Sequence, residues 1–500
     1  MKRREFLAAA SIAAVPRAAL AMPDRDADLR AALDGLARLD TPSAKLAQLK
    51  PFDSASLSPS ARIDLETVRA GLTVDVALVR DHPFGRLGRS PYTLSPLAGA
   101  WRDAAREKDG AALARRIEAE NAQALLEARH GVILPAPLLD KTRTAIANAA
   151  ATSPPIAAEA LRGQARLLAG LAGKAPAEPG VGRFRGGADY FALLLERHYG
   201  AAIDPVAAHR QMLASARAIT ARADLLLRRL GYTRGSVGAR MSAAFSDPRF
   251  LYADDDAGRD HAVADMNAWL DRARPTLPGL FGPLPPECGN VAVRRMTPRE
   301  EAEGKQGYRT IPTPGMAGAY FPDLARIRDR PSWTLPAVVH HELLPGHMIQ
   351  LPIEAAANPH PLRIEYAPAF AEGWAIHAEQ LMADRGAFAG DDRALLGHLH
   401  WLLFRIGRGL VDTGVHIRQE TLAQTSYKLA TLQGEAAYFA PMAQDIERIC
   451  IEPAMRAAEA LTWLGLARLG SNAQRNGPES LRKFHRELLA DGRRRFAMIA

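Results

Sequence analysis

The stretch Val338-Val339-His340-His341-Glu342-Leu343-Leu344-Pro345-Gly346-His347-Met348-Ile349-Gln350 decides how the rest of the chain is read. It sets three imidazoles and one carboxylate within eight residues of an otherwise apolar run. A His-Glu pair followed by a second His is the pattern by which helical segments offer two neutral imidazoles to zinc and a glutamate as base for the attacking water. The spacing departs from the usual His-Glu-x-x-His. Imidazoles four residues apart lie about 40° from one another around a helix, whereas His341 and His347, six apart, would lie roughly 240° apart. Pro345 and Gly346 fall in that interval. Proline removes a backbone donor and clashes with the preceding turn, and glycine frees the backbone. The sequence therefore predicts a helix that breaks after Glu342 and restarts so that His347 returns to the same cation.

A catalytic zinc takes three protein ligands and keeps one position open. Glu354, Glu365 and Glu372 are the acidic candidates downstream. Glu354 and Glu365 flank the proline-rich Asn358-Pro359-His360-Pro361, while Glu372 opens the apolar, helix-like run Glu372-Gly373-Trp374-Ala375-Ile376-His377-Ala378-Glu379-Gln380. Glu372 is favoured as the third ligand, delivered by a helix crossing behind the first. The other reading of this carboxylate is a charge at a helix N-terminus, where the macrodipole welcomes it.

Taken together, His341-Glu342-x-x-Pro345-Gly346-His347-x-x-Gln350 and Glu372-Gly373-Trp374-Ala375 resemble the DUF885 family of bacterial proteins. More distantly they are similar to the site of the angiotensin-converting-enzyme family, in which two fewer residues separate the Glu from the Gly. The DUF885 resemblance extends, more weakly, over most of the chain after the leader. It implies a mainly α fold: a large helical zincin-like metallopeptidase with a small β-sheet next to the metal helix. It also implies one Zn2+ per chain on His341, His347 and Glu372, with Glu342 as general base and a peptide as substrate.

A later run, Arg405-x-x-Arg408-x-x-x-Asp412-Thr413-Gly414-x-His416, resembles another family signature. By analogy with related helical zincins, His416 is the expected catalytic donor to the oxyanion. Asp412 either orients a ligand imidazole through its second nitrogen or anchors a helix end. Two positions depart from the family pattern. In Pro453-Ala454-Met455-Arg456-Ala457-Ala458-Glu459 the expected tyrosine is replaced in register by Glu459, and the tyrosine of the Glu-Gly-Trp-Ala-x-Tyr segment is His377 here. Tyr438 and Tyr427 are the substitutes. The missing tyrosine keeps two other readings open: hydrolysis of a non-peptide amide or cell-wall peptide, and a non-catalytic periplasmic binding protein on a peptidase scaffold.

The chain is 48% hydrophobic and 24% charged over 500 residues, enough apolar material for one large or two ordinary domains. Part of the net charge of +9 sits in the first 21 residues, and the body has no long basic run interleaved with aromatics. Nucleic acid is therefore not an expected partner. Cys288 and Cys450 are too few and too far apart for a disulfide framework or a cysteine metal site, although the two could form one bridge. Residues 1–21 read as a twin-arginine signal: Lys2-Arg3-Arg4-Glu5-Phe6-Leu7, an apolar run over 7–15, and Ala19-Leu20-Ala21 at the cleavage site. They predict handling by the twin-arginine export machinery and a periplasmic mature chain. No stretch is long and apolar enough for a stable membrane span.

The body divides into an N-terminal helical region, 22–178, and a zincin-like catalytic region, 179–500, with the break in the Gly/Pro-rich stretch 173–187. Helical periodicity covers 103–130, 140–151, 189–197, 204–230, 260–273, 391–409 and 420–433. Strand-like alternation appears at 291–296 and 318–321. Residues 315–321 are the expected edge strand, able to hold an extended substrate by backbone pairing. Tyr320 within it either lines the catalytic cleft or packs the strand.

Overall fold

The apolar periodicities become helices, several of them started by a capping side chain. The computed structural model describes residues 24–84, 87–434 and 442–499. The leader and Tyr438 lie outside the described residues. Labels are given in chain order to the helices that shape the site. The N-terminal layer packs α1 (Gly110–Arg129), α2 (Ala136–Ala151) and α3 (Pro155–Leu171) together. The expected helix over 103–130 starts only at Gly110, because the Asp109 carboxylate accepts the N–H groups of Ala111 and Ala112 and so fixes the N-terminus there. Next come α4 (Gly187–Tyr199), α5 (Pro205–Arg229) and α6 (Asp256–Ala273). Helix α5 has the ends its sequence announces: Asp204 accepts from the Ala207 N–H, Pro205 fills the first turn, and Gly231 takes the left-handed conformation at φ 91°.

Three short strands follow: β1 (Val291–Val293), β2 (Tyr308–Thr310) and β3 (Gly318–Phe321). Strand β3 is central, parallel to β1 with Val293 opposite Tyr320, and antiparallel to β2 with Arg309 opposite Tyr320. The expectation that 315–321 forms the edge is therefore corrected: both sides of β3 are paired, and β2 is an edge. Strand β2 escaped the sequence reading because Tyr-Arg-Thr is too short and too polar to show alternation.

Then come α7 (Leu335–Glu342), α8 (His347–Ala357), α9 (Phe370–Asp384), α10 (Asp392–Ile417), α11 (Leu422–Gln433) and α12 (Met455–Arg475). Helix α10 is the spine. It packs most extensively along α5 and also touches α7, α11 and α12. It does not stop at Gly409 as the periodicity suggested. A Cβ at that position would lie 2.6 Å from Met212 Sδ, so this glycine serves close packing between α10 and α5 rather than termination.

The fold is mainly α with one small sheet, and the sheet shares a hydrophobic core with α7: Val291, Val293 and Tyr320 pack with Val338, Val339, Trp374 and Trp401. The expected break between residues 178 and 179 does not separate two cores. Leu113 and Ile146 share one core with Phe191, Met212 and Leu403, and Arg183 donates to the Ile133 carbonyl and the Tyr92 hydroxyl. Cys288 and Cys450 are both buried free thiols. Among the described residues no helix is long and apolar enough to cross a membrane.

Candidate metal centre

Helix α7 ends on Glu342, the backbone leaves the helical region at Leu343 (φ −117°, ψ −101°), and α8 restarts at His347. The Leu344–Pro345 peptide bond is cis. The break needs glycine at 346, since a Cβ there would stand 1.9 Å from the His341 carbonyl oxygen. This corner brings His347 back to His341, with ring centroids 5.0 Å apart and planes at 86°.

Helix α9 locks the corner and adds the carboxylate. The Trp374 indole N–H donates to the Gly346 carbonyl at 3.1 Å. Gly373 lets α12 come close, for a Cβ there would meet Thr462 Cγ2 at 2.3 Å. Glu372 thereby places one oxygen 3.5 Å from His341 Nε2 and the other 3.6 Å from His347 Nε2. One donor atom from each of the three residues lies within 4.8 Å of the others.

These residues fit a metal. Both ring nitrogens of His347 are buried with no hydrogen-bond partner among the described residues, an expensive state for a polar group left without an acceptor or a cation. Spacings of 3.5 and 3.6 Å are long for hydrogen bonds, but bonds of 2.0–2.1 Å to a tetrahedral ion set neighbouring donors about 3.4 Å apart. The electrostatics agree. Burial pushes the Glu372 carboxyl up, yet His341 and His347 hold it well below the usual carboxylate range. Burial and Arg309 push His347 down, toward the neutral form a ligand needs. Burial and Arg405 push His341 down too, but Glu372 and Glu379 outweigh them and raise it; a cation would displace that proton.

Glu342 sits at the side of the cluster. Its Oε1 lies 4.0 Å from His341 Nε2, while Oε2 is held by the guanidinium of Arg309 from β2. Burial pushes the Glu342 carboxyl up, and Arg309, His341 and His347 more than offset it, so the group is ionised.

Three residues of the site were missed in the sequence. Glu379 accepts from His341 Nδ1 at 2.7 Å, the outer carboxylate that fixes which nitrogen faces a metal. A signal existed: Glu379 lies seven residues beyond Glu372, two turns along one helix face. Arg405 places Nη2 3.1 Å from both His341 ring nitrogens and 3.4 Å from Glu379; only its place in the Arg405-x-x-Arg408 signature hinted at it. Arg309 had no local signal, because its partner Glu342 lies 33 residues on, at the end of a helix.

Other sequence candidates go elsewhere. His416 is not brought to the cluster, which corrects the oxyanion-donor reading. It lies eleven residues along α10 from Arg405, about 16 Å by helical rise; its Nδ1 accepts from the Val181 N–H and its Nε2 meets the Ile449 carbonyl. Asp412 takes its structural alternative, accepting from the N–H groups of Ala454 and Ala457 at the start of α12. Tyr320 is buried, and lies directly opposite Arg309. Residues opposite one another in an antiparallel pair share a face, so Tyr320 sits on the face from which Arg309 reaches Glu342, inside the core of the sheet. Glu354 is taken by Arg493, Glu365 by Arg197 and Glu459 by Arg456. His377 pairs with His485, and Tyr427 is exposed.

A family model described as "Bacterial protein of unknown function (DUF885)" matches residues 22–494. Two solved structures share the fold. One, titled "putative lipoprotein" from Colwellia psychrerythraea, has a TM-score of 0.71 at 21% identity and covers 95% of this chain and 89% of its own. The other, titled "a putative lipoprotein of unknown function" from Shewanella oneidensis, has a TM-score of 0.70 at 16% identity over 94% and 91%. No curated protein matches the chain.

Proposed function

This chain belongs to the DUF885 family of bacterial proteins, whose function is not assigned, so its chemistry must be read from the site, and we propose that it is a zinc-dependent peptidase hydrolysing short peptides. The observation that carries the reading is the convergence of His341, His347 and Glu372 beside Glu342. His341, His347 and Glu372 would hold the ion, and a His/His/Glu donor set suits zinc. When bound, the ion supplies Lewis acidity toward the scissile carbonyl and the water. Glu342 moves the proton. Its Oε1 takes it from the attacking water as the C–O bond forms, and returns it to the amine nitrogen as the C–N bond breaks. Arg309 grips Oε2 and keeps the other oxygen turned toward the ligand set. Glu379 holds His341 by Nδ1, leaving Nε2 for the cation.

The twin-arginine pattern of residues 1–21, and the lipoprotein titles of the two similar structures, support an exported, periplasmic protein. The test is Glu342→Gln in the mature chain. Zinc stoichiometry should persist, while turnover of a peptide library read by mass spectrometry should fall by about a thousandfold or more. Turnover retained in the variant rejects this mechanism.

A further inference from the structure

Beside Glu342 lies a guanidinium whose donors exceed its partners. Arg309 is the middle residue of the edge strand β2. It gives one terminal nitrogen to Glu342 Oε2. A guanidinium carries five N–H donors in a fixed fork. The Arg309 Nε is buried with no acceptor among the described residues, and 29% of the side chain is exposed. It is thus anchored to Glu342 by one terminal nitrogen, with donors left over and part of the side chain exposed. The nearby carboxylates are already engaged: Glu372 faces the two imidazoles, and Glu379 is taken by His341 and Arg405. With a divalent ion in place, Arg309 and Arg405 leave the pocket net positive around three carboxylates.

We infer that Arg309 is the recognition residue for a substrate carboxylate close to the scissile bond, so that the site prefers peptides cut near a free C-terminus or beside an acidic side chain. A planar fork matches a carboxylate in two parallel hydrogen bonds, which gives orientation as well as attraction. Glu342 shows that the fork already accepts such a partner. Its position fits, because the carboxylate it holds is the one whose other oxygen faces the metal ligands. The outer side of β2 also lets an extended peptide lie beside Arg309 by backbone pairing, a role the sequence had given to β3.

This inference rests on the peptidase reading, and two measurements separate their fates. The first uses the full mature chain loaded with zinc and four probes: N-acetyl-Ala-Ala-Phe, its C-terminal amide, and the amides of N-acetyl-Ala-Ala-Asp and N-acetyl-Ala-Ala-Asn. The free acid should exceed its amide in kcat/KM by at least about tenfold, the lower end expected for a charge-assisted pair. Arg309→Gln should lower all rates but bring that ratio to about one, and Arg309→Lys should restore part of it. A larger Asp/Asn ratio than acid/amide ratio would assign the carboxylate to a side chain rather than the terminus. The second measures calorimetric binding of the same probes to the metal-free chain, where no turnover occurs; the acid preference and its loss in Arg309→Gln should persist there. Equal binding of acids and amides by the wild-type chain, or a preference that survives Arg309→Gln, overturns the inference. Acid preference in binding with no hydrolysis by the loaded chain would reject the peptidase reading and leave Arg309 standing.

Discussion

The middle and the C-terminal end of helix α10 carry similar residues and do different work. Near its middle, Arg405 leans on His341, whose neighbours His347 and Glu372 face a shared space with polar atoms left open. Toward its C-terminus, Asp412 and His416 are just as deeply buried, yet each has its partners in the backbone: Ala454 and Ala457 for the aspartate, Val181 and Ile449 for the histidine. Both regions look like chemistry in the sequence. What divides them is satisfaction. A buried polar group whose hydrogen bonds are complete is part of the architecture, whereas open ring nitrogens that share a space with a second imidazole and a carboxylate are placed to take a cation.

The sharpest way to break this contrast is at the open region. His347→Ala should take zinc content from about one per chain to near none while the far-ultraviolet circular dichroism stays that of the native fold, because the side chain makes no hydrogen bond among the described residues. Metal analysis after dialysis reads it. A variant still holding one zinc would remove His347 from the ligand set.

Next in size is the outer carboxylate. Glu379→Gln keeps the shape but weakens the acceptor for His341 Nδ1, and should cost about 10–100-fold in zinc affinity, measured by competition with a chromophoric chelator. An unchanged affinity would make Glu379 architecture like Asp412.

At the closed end the effect should be on stability alone. Asp412→Ala deletes two buried N-cap hydrogen bonds and should lower unfolding stability by about 1–3 kcal/mol, seen as a shifted denaturant midpoint. If zinc affinity fell with it, the division between the two regions would fail.

A pH titration sharpens the same point for histidine. Burial pushes His377 and His400 down to about 3, and His416 and His485 to about 4. Once unfolded, these imidazoles bind protons near pH 6.5. The folded chain refuses them, so their contribution to stability is present above about pH 6.5 and lost as pH falls through about 4 for His416 and His485 and about 3 for His377 and His400. The melting temperature should drop across that window, and His400→Phe should flatten the fall.

The smallest effect is the most telling for the discarded reading. His416→Gln should change kcat by no more than about twofold, at a temperature where the variant is folded, since the side chain lies about 16 Å along α10 from Arg405. A hundredfold loss of kcat with intact structure would return it to the active centre.

Much of the ligand set was legible because its logic is local. The Pro345-Gly346 interval between two histidines announces a corner, and Glu372 opens the next apolar helix. The helix ends at Asp204 and Asp109 were likewise written in single capping residues, although Asp109 was passed over in favour of a longer periodic run. Strand β2 was not legible, since three polar residues carry no period. His416 misled because a motif position says which residue is present, not whether its hydrogen bonds are already taken.

By itself the sequence determined the helical class and the broken helix at the His-Glu motif, because short-range sterics of proline and glycine and the 3.6-residue period act within a few residues. Only the tertiary structure decided that β2 is an edge, that Arg309 holds Glu342, that Glu379 and not Asp412 steadies His341, and that the proposed break near residue 178 runs through a shared core. Those outcomes depend on contacts between segments far apart in the chain, and no local pattern encodes which distant partner will complete a buried hydrogen bond.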